Sequence, residues 1–356
     1  MSKNFPIHEL VIKNFRGIRH FEFNKFRRIT FIGGVNGTSK TTILEAIFFL
    51  MNRKSLGLLN VTATQRGLTP NLALMGTILF HNGDRNQKIE VISKSHSDSS
   101  KILLTYYKND PRPNIARTIN DPRTGLTTRL GEECWSAEAY RNNQLTDKLY
   151  FVPMDSDFIV HPEKQSHDDI PIATFVSKAT SFSPQEIAAA FTEVVKERRR
   201  GELIRAMKIV NPDITNIEIM HYGTEPVIHA ALSSENLIPI NALGEGARLL
   251  FLAALHVCLK AGGVLLIDEI DGSFHFSKLR EIWSGLFSLC CKYDWQIIAV
   301  THSRESVMSA FAAAGDIEKE QDFCYMRLER DGENLLQTLY DNDDLGLSEK
   351  NEWEIR

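Results

Sequence analysis

Apolar positions along this chain gather into short strand-like runs and longer helical stretches, and neither kind recurs at a fixed interval. Leu10 to Phe15 and Arg28 to Ile32 read as strands, and the second leads into a Gly-rich turn followed by the helical stretch Ile43 to Met51. Further β-type runs, Thr77 to Phe80, Lys88 to Ile92 and Lys101 to Tyr107, are separated by polar turns and predict a small antiparallel sheet. The stretch Asn109 to Arg129, with Arg112, Arg117, Arg123 and Arg129 among Pro and Asn, reads as a loop or insertion. Helical pattern dominates from 183 to 209, opening on the start signal Ser183-Pro184. Near the end, the apolar strands Val264 to Ile267 and Gln296 to Val300 flank the helical Phe276 to Tyr293, the alternation of a parallel α/β sheet.

The turn after the second strand carries the first candidate chemistry. From Gly34 the chain follows the phosphate-loop spacing G-x-x-x-x-G-K-[ST], except that Ser39 stands where the last Gly is expected. Backbone N–H groups from Gly34 through Asn36, Gly37, Thr38 and Ser39 to Lys40 are suited to wrap a phosphate, aided by the helix N-terminus before Thr42. Lys40 supplies charge for the β- and γ-phosphates, and the Thr41 hydroxyl is a ligand for Mg²⁺. If position 39 needs positive φ, serine costs about 1 kcal/mol or more there.

A second half of the site lies far downstream. Gly263 to Ile267 is an apolar strand ending in Asp268 and Glu269, the pattern of a Walker B element. Asp268 is placed for the Mg²⁺ shell and Glu269 to orient or deprotonate the attacking water. Paired acids after a buried strand also serve as helix caps, but a phosphate loop upstream favours the catalytic role. Gln296 to Val300 repeats the design and delivers His302, a candidate sensor of the γ-phosphate, at the strand edge where open α/β sheets bind ligands. Between these regions Leu243-Gly-Glu-Gly-Ala-Arg248 is a Gly-rich entry to the apolar helix Leu249 to Leu259. That makes a second anion site, and two such sites in one chain suggest a phosphate sandwiched between two subunits.

Composition narrows the partners. The formal charge is −4 over 356 residues, so binding to nucleic acid must rest on local basic patches, Lys196 to Arg200 with Arg205 to Lys208, or the Arg-rich 112 to 129 stretch. Cys134, Cys258, Cys290, Cys291 and Cys324 show no metal-ligand spacing and read as reduced thiols. With no targeting signal and no apolar run long enough for a bilayer, the expected location is the cytoplasm, away from membranes.

Taken together, these motifs resemble the ABC-type ATPase heads of the SMC, RecF and OLD group, and most closely the small AAA15-type ATPases such as the ATPase subunit of the PARIS anti-phage system. The residues carrying the resemblance are Leu10-Val-Ile-Lys-Asn-Phe-Arg-Gly17, the phosphate loop with Ile43-Leu-Glu-Ala-Ile47, Leu243 to Arg248 as signature, Asp268-Glu269, His275, Thr301-His-Ser303 and the terminal Glu354-Ile-Arg356. It implies a P-loop NTPase of ABC-ATPase head type, α/β, with a small antiparallel β subdomain, a helical lobe and, absent heptads, no coiled-coil arms. Three divisions are expected: 1–135 with the phosphate loop and antiparallel sheet, 136–242 mainly helical, and 243–356 with signature, Walker B and His302. By the same resemblance Asn14 and Arg16 lie near the nucleotide, Gly244, Glu245 and Gly246 face the ATP of a second copy, and Asp271 sits in the dimer-contacting turn. Gly244 and Glu245 depart from the usual Ser and Gly of that signature, and with Ser39 they imply slow hydrolysis.

The expected cofactors are ATP and Mg²⁺, and the expected assembly is a homodimer or higher homo-oligomer closed by an ATP sandwich. OLD-type relatives carry a nuclease in the same chain; here the nearest acid cluster, Asp341-Asn-Asp-Asp344, reads as a solvated loop, so no nuclease is expected. One role implied is a nucleotide-gated sensor and scaffold that restrains a separately encoded effector in anti-phage defence, released by a phage protein trigger. A RecF-like DNA-binding ATPase in repair and a non-hydrolysing, nucleotide-stabilised oligomer are the alternatives.

Overall fold

The run Ile29-Thr-Phe-Ile-Gly-Gly34 is buried at five of six positions, as a strand covered on both faces must be. In the computed structural model, which describes residues 5–52, 78–109, 118–120, 127–129, 133–153, 158–166, 171–180 and 182–351, it forms β3 within a six-stranded sheet. Across that sheet the order is β11 (Ile172–Ser177), β15 (Gly263–Asp268), β16 (Trp295–Val300), β3, β17 (Phe323–Asp331) and β18 (Asn334–Tyr340). All neighbours run parallel except β18, which returns antiparallel from β17. The carboxyl ends of β3, β15 and β16 therefore share one edge, where ligands of such sheets bind.

Two cores lie on the two faces. Period-two alternation sends Val264 and Leu266 into one and Leu265 and Ile267 into the other. The first is filled by α1 (Lys40–Met51), whose Ile43, Leu44, Ile47 and Leu50 are all buried. A helix apolar nearly all round must be covered on every side, and a seven-stranded antiparallel sheet covers the rest of it. That sheet runs β10 (Phe158–Lys164), β9 (Gln144–Pro153), β8 (Cys134–Arg141), β5 (Ser99–Tyr107), β4 (Ile89–Lys94), β1 (Glu9–Phe15) and β2 (Ile18–Phe23). The second core is covered by α2 (Pro184–Lys196), α3 (Arg200–Val210), α4 (Glu245–Leu259), α5 (Leu279–Lys292) and α6 (Arg304–Asp316), with Leu250, Trp283 and Phe287 fully buried. A three-stranded sheet of β12 (Ile214–Tyr222), β13 (Glu225–Leu232) and β14 (Leu237–Pro239) flanks these helices, β6 (Thr118–Asn120) pairs β7 (Thr127–Arg129), and α7 (Asn342–Asn351) follows β18.

The fold is the α/β ABC-head type expected, with differences in detail. The antiparallel sheet is larger than the sequence suggested, because β8, β9 and β10 extend it. Residues 136–242, expected to be mainly helical, hold α2 and α3 but more strand than helix among the described residues. Within Thr77 to Phe80, read as a strand, positions 78 and 79 are helical and Phe80 forms an isolated bridge to Phe15, while Thr77 lies outside the described residues. Ser183 starts α2 with a capping box closed by Glu186, as the start signal implied. Of the cluster Asp341 to Asp344, read as a loop, residues 342–344 open α7, and Asp341 just before it accepts from Asp343 N and Asp344 N at 3.0 Å each. Arg112, Arg117, Arg123 and Glu354 to Arg356 lie outside the described residues. Among the described residues no helix is long and apolar enough to cross a membrane.

Candidate functional site

The phosphate loop is built on left-handed backbone. Gly34, Gly37 and Ser39 have φ of 129°, 82° and 63°. Gly34 must be glycine for a second reason, since a Cβ there would stand 2.2 Å from Leu328 O. Thr38 is buried and its hydroxyl donates to Val35 O at 2.8 Å, closing the turn. The Lys40 ammonium folds back over the loop, donating to Gly34 O and Val35 O at 2.8 Å each. Burial holds its pKa down at about 8, against the upward pull of Glu269 and Asp268.

Walker B closes on this loop from β15. Thr41 Oγ1 donates to Asp268 Oδ2 at 3.1 Å, joining the start of α1 to the end of β15. Desolvation lifts the Asp268 carboxyl to about 6, opposed by the Thr41 hydrogen bond and by Lys40, and reinforced by Glu269 and Glu45. Glu269 has φ 52°, its N–H donates to Val300 O at 3.0 Å, and its carboxylate accepts from His302 Nε2 at 2.8 Å. A non-glycine residue in that conformation is strained, and Asn14 and Arg16, with φ of 55° and 54°, share it.

Arg16, the run Asn36 to Thr42, Glu269 and His302 line one cleft of about 760 Å³. Arg16 is only 7% exposed and is ion-paired through Nη1 with Glu45 of α1, leaving Nη2 without a hydrogen-bond partner among the described residues. Asn14 is not in the cleft lining; its amide donates to Lys88 O at 3.1 Å. The signature residues stand apart from it as well. Gly244, with φ 106° and ψ 164°, caps α4, which starts at Glu245, earlier than the sequence reading of Leu249. Glu245 accepts from Ser273 Oγ at 3.0 Å, and a Cβ on Gly246 would meet Ser273 O at 2.6 Å. The Gly-rich start of α4 thus packs on the turn after Walker B, not on the cleft. Asp271 falls within that turn, Ile270–Ser273, and its side chain is outside the described part. Two residues of the site take roles that the sequence did not assign. Arg330 Nη2 reaches Ser39 Oγ at 2.7 Å, a contact spanning 291 positions, and Glu45 acts as the buried partner of Arg16.

A loop of phosphate-loop spacing, a strand ending in Asp268 and Glu269 and a strand leading to His302 lie side by side with parallel carboxyl ends, the arrangement of a P-loop ATPase of ABC-head fold. Solved structures agree on the fold. The head of an SMC protein bound to the C-winged helix domain of ScpA aligns over 96% of this chain and 99% of its own, at 13% identity and a TM-score of 0.52. An SMC head with an extended coiled coil bound to the C-terminal domain of ScpA from Pyrococcus furiosus aligns over 98% and 100%, at 11% identity and a TM-score of 0.51. Residues 29–309 match the family described as "AAA domain, putative AbiEii toxin, Type IV TA system", and the chain belongs to that family. An ATP/GTP phosphatase of Helicobacter pylori (strain ATCC 700392 / 26695) is 17% identical over 374 residues, covering 97% of this chain and 98% of the relative. An uncharacterized protein of Methanocaldococcus jannaschii is 20% identical over 235 residues, covering 63% of this chain and 94% of the relative.

Proposed function

We propose that this ATPase binds ATP with Mg²⁺ and hydrolyses it slowly, in a site that a second copy of the chain completes. The observation that carries the chemistry is the Thr41–Asp268 contact of 3.1 Å beside the Glu269–His302 pair. Thr41 and Asp268 are hard oxygen donors that would hold Mg²⁺. When bound, Mg²⁺ neutralises charge on the phosphates. Lys40 and Arg16 supply positive charge along the same cleft. Glu269 would take the proton of the attacking water, and His302 holds the Glu269 carboxylate in place and would sense the γ-phosphate.

The separation of Gly244 to Gly246 from the cleft supports a dimer or higher homo-oligomer in which these residues, with Asp271, meet the nucleotide of the other copy. The strained Ser39 supports slow turnover. In this proposal the chain is a cytoplasmic nucleotide-gated sensor and scaffold in anti-phage defence, of the small AAA15 type. It restrains a separately encoded, nuclease-like effector until a phage protein triggers release, and has no nuclease of its own. A repair role on DNA has weaker support. Lys196 is paired with Glu193 at 2.7 Å, Arg205 with Glu202, and Arg199 donates to Cys258 O at 2.9 Å, so much of that basic stretch is already neutralised or engaged.

Glu269→Gln tests the catalytic assignment. Single-turnover hydrolysis should fall by about 10²–10⁴-fold while ATP affinity is kept, as for loss of a general base. Hydrolysis at the wild-type rate would remove Glu269 from that role.

A further inference from the structure

Ser39 stands where the phosphate loop enters α1, and its side chain makes no capping bond to the helix. Its hydroxyl instead accepts from Arg330 Nη2 at 2.7 Å, and the same nitrogen donates to Gly17 O at 2.8 Å. Gly17 makes room for this arrangement, since a Cβ there would stand 2.8 Å from Ser39 Oγ and 3.5 Å from Arg330 Nη2. Arg330 itself is anchored near the end of β17, and the turn beyond it is fastened to the same region of the antiparallel sheet. There Glu333 accepts from Arg19 at 3.2 Å and from Asn82, a cleft residue, at 3.3 Å.

A left-handed backbone is unfavourable for a residue with a Cβ, and Ser39 has φ 63°. A loop that binds phosphate through backbone N–H groups works best when those groups are aimed before the ligand arrives. A charge-assisted hydrogen bond to the offending side chain draws it toward Gly17 and fixes the backbone at once.

We propose that Arg330 is a positioning residue for nucleotide binding, which rests on the nucleotide role given above. Through the Ser39 hydroxyl and the Gly17 carbonyl it holds the loop in the conformation that a glycine would adopt unaided. The serine at position 39 and the arginine at position 330 then form one functional unit, and the arginine is dispensable once the serine is gone.

A four-protein cycle decides this. Wild type, Ser39→Gly, Arg330→Ala and the double variant are titrated with a fluorescent ATP analogue in Mg²⁺. Arg330→Ala should weaken binding about tenfold when Ser39 is present and under about twofold in the Ser39→Gly background. Arg330→Lys, which keeps a cation of similar reach, should restore part of the loss. An equal loss in both backgrounds would overturn the proposal, since Arg330 would then act independently of Ser39. If even the wild type binds no nucleotide, the nucleotide assignment fails instead. Urea unfolding of the same four proteins then decides the coupling, with non-additive midpoints supporting it and additive ones overturning it.

Discussion

The phosphate-loop edge and the Gly-rich start of α4 are both helix entries opened by glycines, yet their surroundings differ. At the first, β3, α1, β15, β16 and β17 converge. Lys40 is held by loop carbonyls, Thr41 by Asp268, Glu269 by His302 and Ser39 by Arg330. Gly34 is there because its own chain leaves no room, with Leu328 O at 2.2 Å from a Cβ. At the second, a Cβ on Gly244 would meet no described atom within 4 Å, and only the φ of 106° calls for glycine. The first entry is thus constrained by its own chain, whereas at the second Gly246 packs on Ser273 and Gly244 alone stays open. That contrast is what the proposed sharing of a site between two copies requires.

The contrast can be strained from either side. The largest stability effect is expected at the crowded edge. A carboxyl with a folded pKa of about 6 against 3.8 in the unfolded chain favours folding when protonated. That stability is fully present below about pH 3.8 and lost as pH rises through 6. In EDTA, Asp268→Asn should therefore be more stable than wild type at pH 8, by about 3 kcal/mol for roughly two pKa units. The gap should close as pH falls, and urea titrations across pH measure it. A constant gap would show that the Asp268 charge is not destabilising in the fold. At the open half-site Gly244→Ala should cost about 1–3 kcal/mol through backbone strain alone. It should leave the ATP affinity of a single copy unchanged while lowering turnover. A matching loss of affinity would mean that α4 serves the cleft of its own chain.

Much of the crowded edge was legible in the sequence because its signals are local. Lys40 and Thr41 follow the loop by fixed spacing, and Asp268 and Glu269 end an uninterrupted apolar strand. The Ser183-Pro184 start likewise needs only its neighbour Glu186. What stayed hidden depends on distant partners. β8 pairs with β5 from more than twenty-five positions further along the chain, and Cys134 to Ala137 are buried in succession, which gives no alternating pattern to read. Arg330 meets Ser39 from the far end of the chain, so no spacing rule could pair them. The strain at Ser39 was foreseen from the glycine it replaces, but its restraint was visible only in three dimensions.

If one copy's phosphate loop works with another copy's Gly244 turn, as proposed, two differently crippled copies should rescue each other. Lys40→Ala and Gly244→Asp proteins should each be inactive alone. Combined in equal amounts with ATP and Mg²⁺, they should regain about one quarter of wild-type turnover, because half the dimers are mixed and each mixed dimer holds one intact site. Turnover that stays at the level of the two parents would contradict the shared site and confine the chemistry to a single chain.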